Sequence, residues 1–333
     1  MAFRLNPRTR LCRRIAAGPK TFAVCATLLL SLTAWSQSAP SAGQYRVLTV
    51  EHLVLHDAVR NKELPLKIYY PDGEGPFPVI IFSHGALASK DCYSELGKYW
   101  ASFGYVSIHP SHDDSIADVG FQGTLLEAIS NPAAWQNRPK DISFIIDSLS
   151  SLERLAPELH GKLDRRHIGV GGHSFGAYTS ELIGGVTITV PGHAHPESFA
   201  DKRVSAILLL SPQGEGRMGL TAQSWDHLRL PMLLMYGSRD FGAWGEPAVW
   251  RSEPYSKSPP GHKYKVEVMG GTHMGFAASS RTESVLNHQF QCAKLETLAF
   301  WNAYLKHSPE AAAYLSSDGL RSFSLDAANF ASK

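Results

Sequence analysis

A chain of 333 residues that is 44% hydrophobic and 19% charged can bury one large core, which excludes a disordered or low-complexity protein. Its 32 basic and 30 acidic residues nearly balance, so no strong net field marks it as a nucleic-acid binder.

The chain begins with Arg4, Arg8, Arg10, Arg13, Arg14 and Lys20, followed by the apolar run TFAVCATLLLSLTAW and no acidic residue. That order of basic and apolar segments predicts an export signal over residues 1–36, with Ala34 and Ser36 as the small residues before the cleavage point. The run of about 15 residues falls short of the roughly 20 needed to span a bilayer, so cleavage is expected rather than a lasting membrane anchor. Removing the segment takes six basic and no acidic residues, leaving a mildly acidic protein exported to the periplasm or beyond. Residues 37–333 carry no linker or repeat and read as one domain. Of four cysteines, Cys92 and Cys292 remain in that part. In an oxidising compartment they are candidates for a disulfide, the alternative being two buried thiols.

Apolar and β-branched runs then recur: YRVLTVEHLVL, LPLKIYY, PVIIFSH, YVSIHP, HIGVGG, VSAILLL, PMLLMYG and KYKVEVM. These predict eight strands. The first two follow each other closely and predict an antiparallel edge. From residue 78 onward strands alternate with helix-like stretches, CYSELGKYWASFG, RPKDISFIIDSLSSL, FGAYTSELIGG and NHQFQCAKLETLAFWNAYLK. That alternation predicts an α/β fold with a mostly parallel eight-stranded sheet covered by helices on both faces. Ligands of such sheets bind beyond the carboxyl ends of the strands.

At one of those ends, Gly172, Ser174 and Gly176 form G-x-S-x-G between a strand and a helix, the pattern of a nucleophile elbow. A serine hydroxyl needs a base to take its proton and a third group to hold that base. His273, after the last predicted strand, and Asp240, after the one before it, supply both in the order Ser, Asp, His. Glu215 in LLLSPQGEG is the rival acid. Two backbone N–H groups are expected to hold the oxyanion: that of Phe175 and, from the loop HGALAS, that of Ala86, with Leu87 as the alternative.

These segments, together with YVSIHPSHDDS, WQNRPKDISFIIDSL, VMGGTHMGF and FWNAYLK, resemble the α/β-hydrolase superfamily over about residues 45–315. Within it they resemble the bacterial dienelactone-hydrolase-like and platelet-activating-factor-acetylhydrolase-like serine esterases. The resemblance implies Ser174, Asp240 and His273 as catalytic triad and Ala86 and Phe175 as oxyanion donors, with no cofactor. Two departures weigh on the substrate. The acetylhydrolases of animals carry the acid after the sixth strand, where this chain reads SPQGEG, and true dienelactone hydrolases use cysteine as nucleophile.

Leu87, His173, Trp244, Met274 and Phe276 flank the catalytic loops and predict an apolar pocket for an uncharged acyl group. Trp135 and Trp250 are candidates for either cleft or core. The clusters HPSHDDS (109–115) and PGHAHPE (191–197) have spacings that zinc tolerates; a pocket wall and a surface loop, with no metal, are the expected roles. Arg138 and Asp141 in RPKD are expected to start a helix and fix it by an ion pair. No long lid is expected between residues 185 and 203. The predicted function is hydrolysis of small to medium carboxylic esters through an acyl-enzyme, at neutral to alkaline pH because an imidazole base must be unprotonated. Amidase or peptidase, acyltransferase and polyester hydrolase activities use the same residues and are the alternatives. The sequence does not fix the oligomeric state.

Overall fold

The structure, a computed structural model, describes residues 43–277, 284–317 and 327–333. The predicted export signal, with Cys12 and Cys25, lies outside them.

Eleven strands are present among the described residues: β1 (Val47–Asp57), β2 (Lys62–Pro71), β3 (Phe77–Ser83), β4 (Val106–Pro110), β5 (Leu163–His173), β6 (Thr187–Ile188), β7 (Glu197–Ser198), β8 (Val204–Leu210), β9 (Met232–Gly237), β10 (Lys263–Val268) and β11 (Ala328–Ser332). The principal helices are α1 (Ser94–Ser102), α2 (Pro132–Asp147), α3 (Phe175–Ile183), α4 (Ser284–Leu305) and α5 (Pro309–Leu315). Strands β6 and β7 form a small ribbon, and the other nine make one sheet in the order β1-β2-β4-β3-β5-β8-β9-β10-β11.

All eight runs read from the sequence lie in strands of that sheet, but the sheet has nine strands and is mixed. Six neighbours, β4-β3-β5-β8-β9-β10, are parallel. β1 and β2 add the expected antiparallel edge. The unforeseen strand is β11, ANFAS, antiparallel to β10 at the opposite edge. Only its Ala328 is buried. A five-residue edge strand with one buried side chain leaves no apolar run to read.

The parallel strands are apolar on both faces because each face has its own core. Val79, Ile81, Val170, Ile207, Leu209 and Leu234 face a core with Ile142, Ile145, Tyr178 and Leu182 of α2 and α3. Ile80, Phe82, Leu208, Leu210, Leu233 and Val266 face the opposite core with Leu96 and Trp100 of α1 and Leu298 and Trp301 of α4. The period-two alternation of side chains across a strand produces this division, which is why these strands read as continuous apolar runs.

α2 begins at Pro132, earlier than expected, with the Asn131 side chain accepting the Ala133 N–H at 3.0 Å. Arg138 and Asp141 therefore sit inside the helix. Both are buried; Arg138 pairs with Asp114, and Asp141 with Arg60 and Lys62.

Candidate active site

Strand β5 ends in His173, and the chain turns sharply at Ser174, which has φ 56° and ψ −118° and stands at the N-terminus of α3. The flanking glycines are steric necessities. A Cβ on Gly172 would lie 2.2 Å from the Gly176 carbonyl carbon, and one on Gly176 would lie 1.9 Å from the Ser83 carbonyl oxygen. Such contacts forbid any larger residue, and a serine at positive φ is strained backbone of the kind found at reactive sites. The Ser174 N–H is bonded to Leu210 O at 2.8 Å, which ties the turn to β8.

His273 opens a short 3₁₀ turn, His273–Phe276, after β10. Its Nδ1 lies 2.8 Å from Oδ1 of Asp240, which is fully buried in the loop after β9. A carboxylate only accepts, so Nδ1 carries the proton and Nε2 is left as the basic nitrogen. Asp240 also accepts from Ser211 Oγ and from Arg251 Nε. Burial alone would raise the Asp240 carboxyl, but the His273 hydrogen bond and the Arg251 charge hold it below the usual carboxylate range. The rival acid, Glu215, pairs instead with Lys257 at 2.7 Å.

Ser174 and His273 line one cavity of about 390 Å³. It lies beyond the carboxyl ends of the parallel strands, where an open α/β sheet binds ligands. Leu87, His173, Trp244 and Met274 line it as expected, and so does Trp250. Phe276 does not: it is 1% exposed and packs in the core over α4. Trp135 is also buried; its Nε1–H donates to Ile129 O at 2.8 Å and holds the short helix Leu125–Ser130, whose Leu125 and Ile129 line the cavity. That wall belongs to the β4–α2 connection, not to residues 185–203, and its short helices broke no long periodic pattern in the sequence.

Of the two expected oxyanion donors, Phe175 N–H is the first of α3, where helical amides have no partner within the helix. In the loop after β3, Leu87 N–H donates to Asp114 Oδ2 at 3.1 Å and is occupied. Gly85 N–H is also taken, by the Tyr93 hydroxyl at 3.3 Å. Ala86 stands between them and is one of the residues that line the same cavity.

A buried ionic network braces this loop from behind. Arg138, 1% exposed, donates to both oxygens of Asp114 at 2.9 and 2.8 Å and to the His84 carbonyl at 2.7 Å. Its guanidinium carbon also lies 4.2 Å from the centroid of the Phe175 ring. One side chain thus contacts both the loop that carries Ala86 and the ring of Phe175. The cluster 109–115 belongs here, so the pocket-wall role expected for it is corrected. His112 joins Ser83 to Asp141 through hydrogen bonds of 2.9 and 2.8 Å, and burial drives the His109 imidazole down to about 3. Imidazoles carried inward on β4 and its extension are used for internal hydrogen bonding. In the other cluster, His193 on an exposed loop pairs with Glu197 at the start of β7.

The candidate pairing of Cys92 with Cys292 is not made, and of the two thiols in the alternative reading only Cys292 is buried. Cys92 is exposed, whereas Cys292 is buried in α4 with its thiol pushed up to about 12 by burial, and both are free.

Comparisons with known proteins point the same way. A family model described as chlorophyllase matches residues 36–180, which carry the loop after β3 and the serine turn but stop before Asp240 and His273. A putative phospholipase A2 of Schizosaccharomyces pombe is 38% identical over 60 residues, 17% of this chain and 14% of that protein. The match thus spans a small part of that relative's length. Over these segments the chain is similar to ester-cleaving proteins, and its own sheet is mixed and nine-stranded.

Proposed function

We propose that the protein is an exported serine esterase that cleaves carboxylic esters of short to medium acyl chain through Ser174, His273 and Asp240. The observation that carries this reading is the 2.8 Å bond between His273 Nδ1 and buried Asp240, made where His273 and strained Ser174 line one cavity. His273 Nε2 takes the Ser174 proton as Oγ attacks the ester carbonyl. The tetrahedral oxyanion is held by the N–H groups of Ala86 and Phe175, each contributing roughly 3 to 4 kcal/mol to the transition state. His273 then returns the proton to the leaving alkoxide, and water, activated by the same imidazole, releases the acid from the acyl-enzyme. Asp240 keeps the imidazole in the required tautomer and stabilises its cationic form.

The volume of the cavity suits a small or medium ester, and its apolar walls at Leu125, Ile129 and Trp244 suit an uncharged acyl group. The names of the matched family and relative, both of ester-cleaving proteins, support the reaction class. The test is hydrolysis of p-nitrophenyl esters from two to sixteen carbons by wild type and Ser174→Ala. Activity greatest at the shorter chains and reduced at least about 10³-fold in the variant supports the reading; near-normal turnover by Ser174→Ala overturns it.

A further inference from the structure

The cavity wall contains one polar group that the proposed reaction does not use. Gln213 is 7% exposed and lines the cavity among Leu125, Ile129, Trp244 and Trp250. Its Oε1 has no hydrogen-bond partner among the described residues. Buried side chains elsewhere in the protein also carry an unpaired polar atom, among them Glu181 and Glu296, but of these Gln213 alone lines the cavity. A buried amide oxygen without a partner is costly, and native proteins rarely keep one without a role for it.

The backbone that presents Gln213 is fixed. Ser211, at φ 55°, turns the chain after β8, with its N–H bonded to Met235 O at 2.8 Å. Arg251 donates through one nitrogen to the carbonyls of Ser211 and Pro212, at 3.0 and 2.9 Å. The same guanidinium holds Asp240, so Gln213 is placed by the brace that places the proposed triad acid. A rigidly presented carboxamide in an apolar cavity is the arrangement by which a site fixes a ligand's orientation.

We propose that Gln213 is a specificity-determining residue that hydrogen-bonds a hydroxyl group on the acyl or alcohol part of the substrate, so that the preferred esters are hydroxy-substituted rather than plain alkyl. A hydroxyl donates to Oε1 and accepts from Nε2, so the match holds for either orientation of the amide. This inference rests on the serine-esterase reading. It adds discrimination because a site that buries a polar group for a substrate hydroxyl loses that bond with the analogue lacking it.

The experiment compares matched esters of equal chain length, one bearing a hydroxyl at successive positions along the acyl or alcohol chain and one unsubstituted. Each is assayed with wild type, Gln213→Met and Gln213→Asn, and folding is checked by Tm. Wild type is expected to favour one hydroxy-ester by at least about 10-fold in kcat/KM, and Gln213→Met to bring that ratio to within about twofold. Equal rates on every pair in wild type, or a preference that survives Gln213→Met, overturns the inference and leaves the esterase reading standing. Failure of wild type to cleave any ester overturns both.

Discussion

His173 Nε2 lies 2.8 Å from the main-chain oxygen of His273, joining the residue before the proposed nucleophile to the backbone of the proposed base. The carbonyl only accepts, so Nε2 carries the proton and Nδ1 accepts from the Tyr93 hydroxyl at 2.8 Å. Tyr93 in turn accepts the Gly85 N–H from the loop after β3. Burial drives the His173 imidazole down to about 3, which keeps it neutral and this proton order fixed. His173→Phe is expected to lower kcat about 10- to 100-fold with KM little changed, because small displacements of catalytic groups have costs of that size. His173→Gln, which keeps one donor and one acceptor, is expected to recover much of the loss. Equal kcat in wild type and His173→Phe would show that the two loops hold their positions without it.

Arg138 braces the loop after β3 through Asp114 and the His84 carbonyl. Removing one partner of a buried ion pair leaves the other charge uncompensated, at a cost of about 3 to 5 kcal/mol. Arg138→Met should show that loss in urea denaturation. Asp114→Asn, which retains an acceptor for Leu87 N–H but leaves the Arg138 charge uncompensated, should also be destabilised and should lower kcat. An Arg138→Met protein as stable as wild type would mean that the network is energetically idle.

Burial pushes the Glu296 carboxyl in α4 up to about 7. A glutamate in the unfolded chain titrates near ~4.3, so between about pH 4.3 and 7 the folded protein holds a proton that the unfolded chain has released. Stability contributed by this group therefore falls as pH rises through that window and is flat above it. Glu296→Gln keeps an acceptor for the Tyr314 hydroxyl and cannot ionise. It should remove about 1 to 3 kcal/mol of the decline, measured by denaturant midpoints at pH 4.5 and 8. Parallel pH curves for the two proteins would contradict this.

The two thiols provide a further check. In residues 37–333, alkylation of the native protein without reductant should modify Cys92 alone, and alkylation after unfolding should modify Cys292 as well. A mass without added label in the unfolded, unreduced sample would show that they are paired.

The sequence carries the interior strands and the serine turn because both rest on strong local rules. Two-faced burial makes continuous apolar runs of Val79–Phe82 and Ile207–Leu210, and the close approach of Gly172 and Gly176 to neighbouring backbone admits no substitute. The ninth strand and the β4–α2 wall were not legible, since each buries few side chains and carries little periodicity. Phe276 is close to His273 in sequence, which predicts a pocket position, but in the turn His273–Phe276 the ring packs in the core. Gln213 and Arg138 follow the same logic. A buried polar side chain becomes informative only once its partners, or their absence, are known, and those lie far away in sequence: 54 residues separate Arg138 from the His84 carbonyl it holds.

The most direct test of the central claim is covalent labelling. The intact protein is treated with a fluorophosphonate, which traps a serine activated by a neighbouring imidazole, and the modified peptide is identified by mass spectrometry. One label per chain on Ser174, abolished in Ser174→Ala and strongly slowed in His273→Ala, is the predicted result. Absence of labelling at Ser174 in a folded protein, or labelling that proceeds at the wild-type rate in His273→Ala, would contradict it.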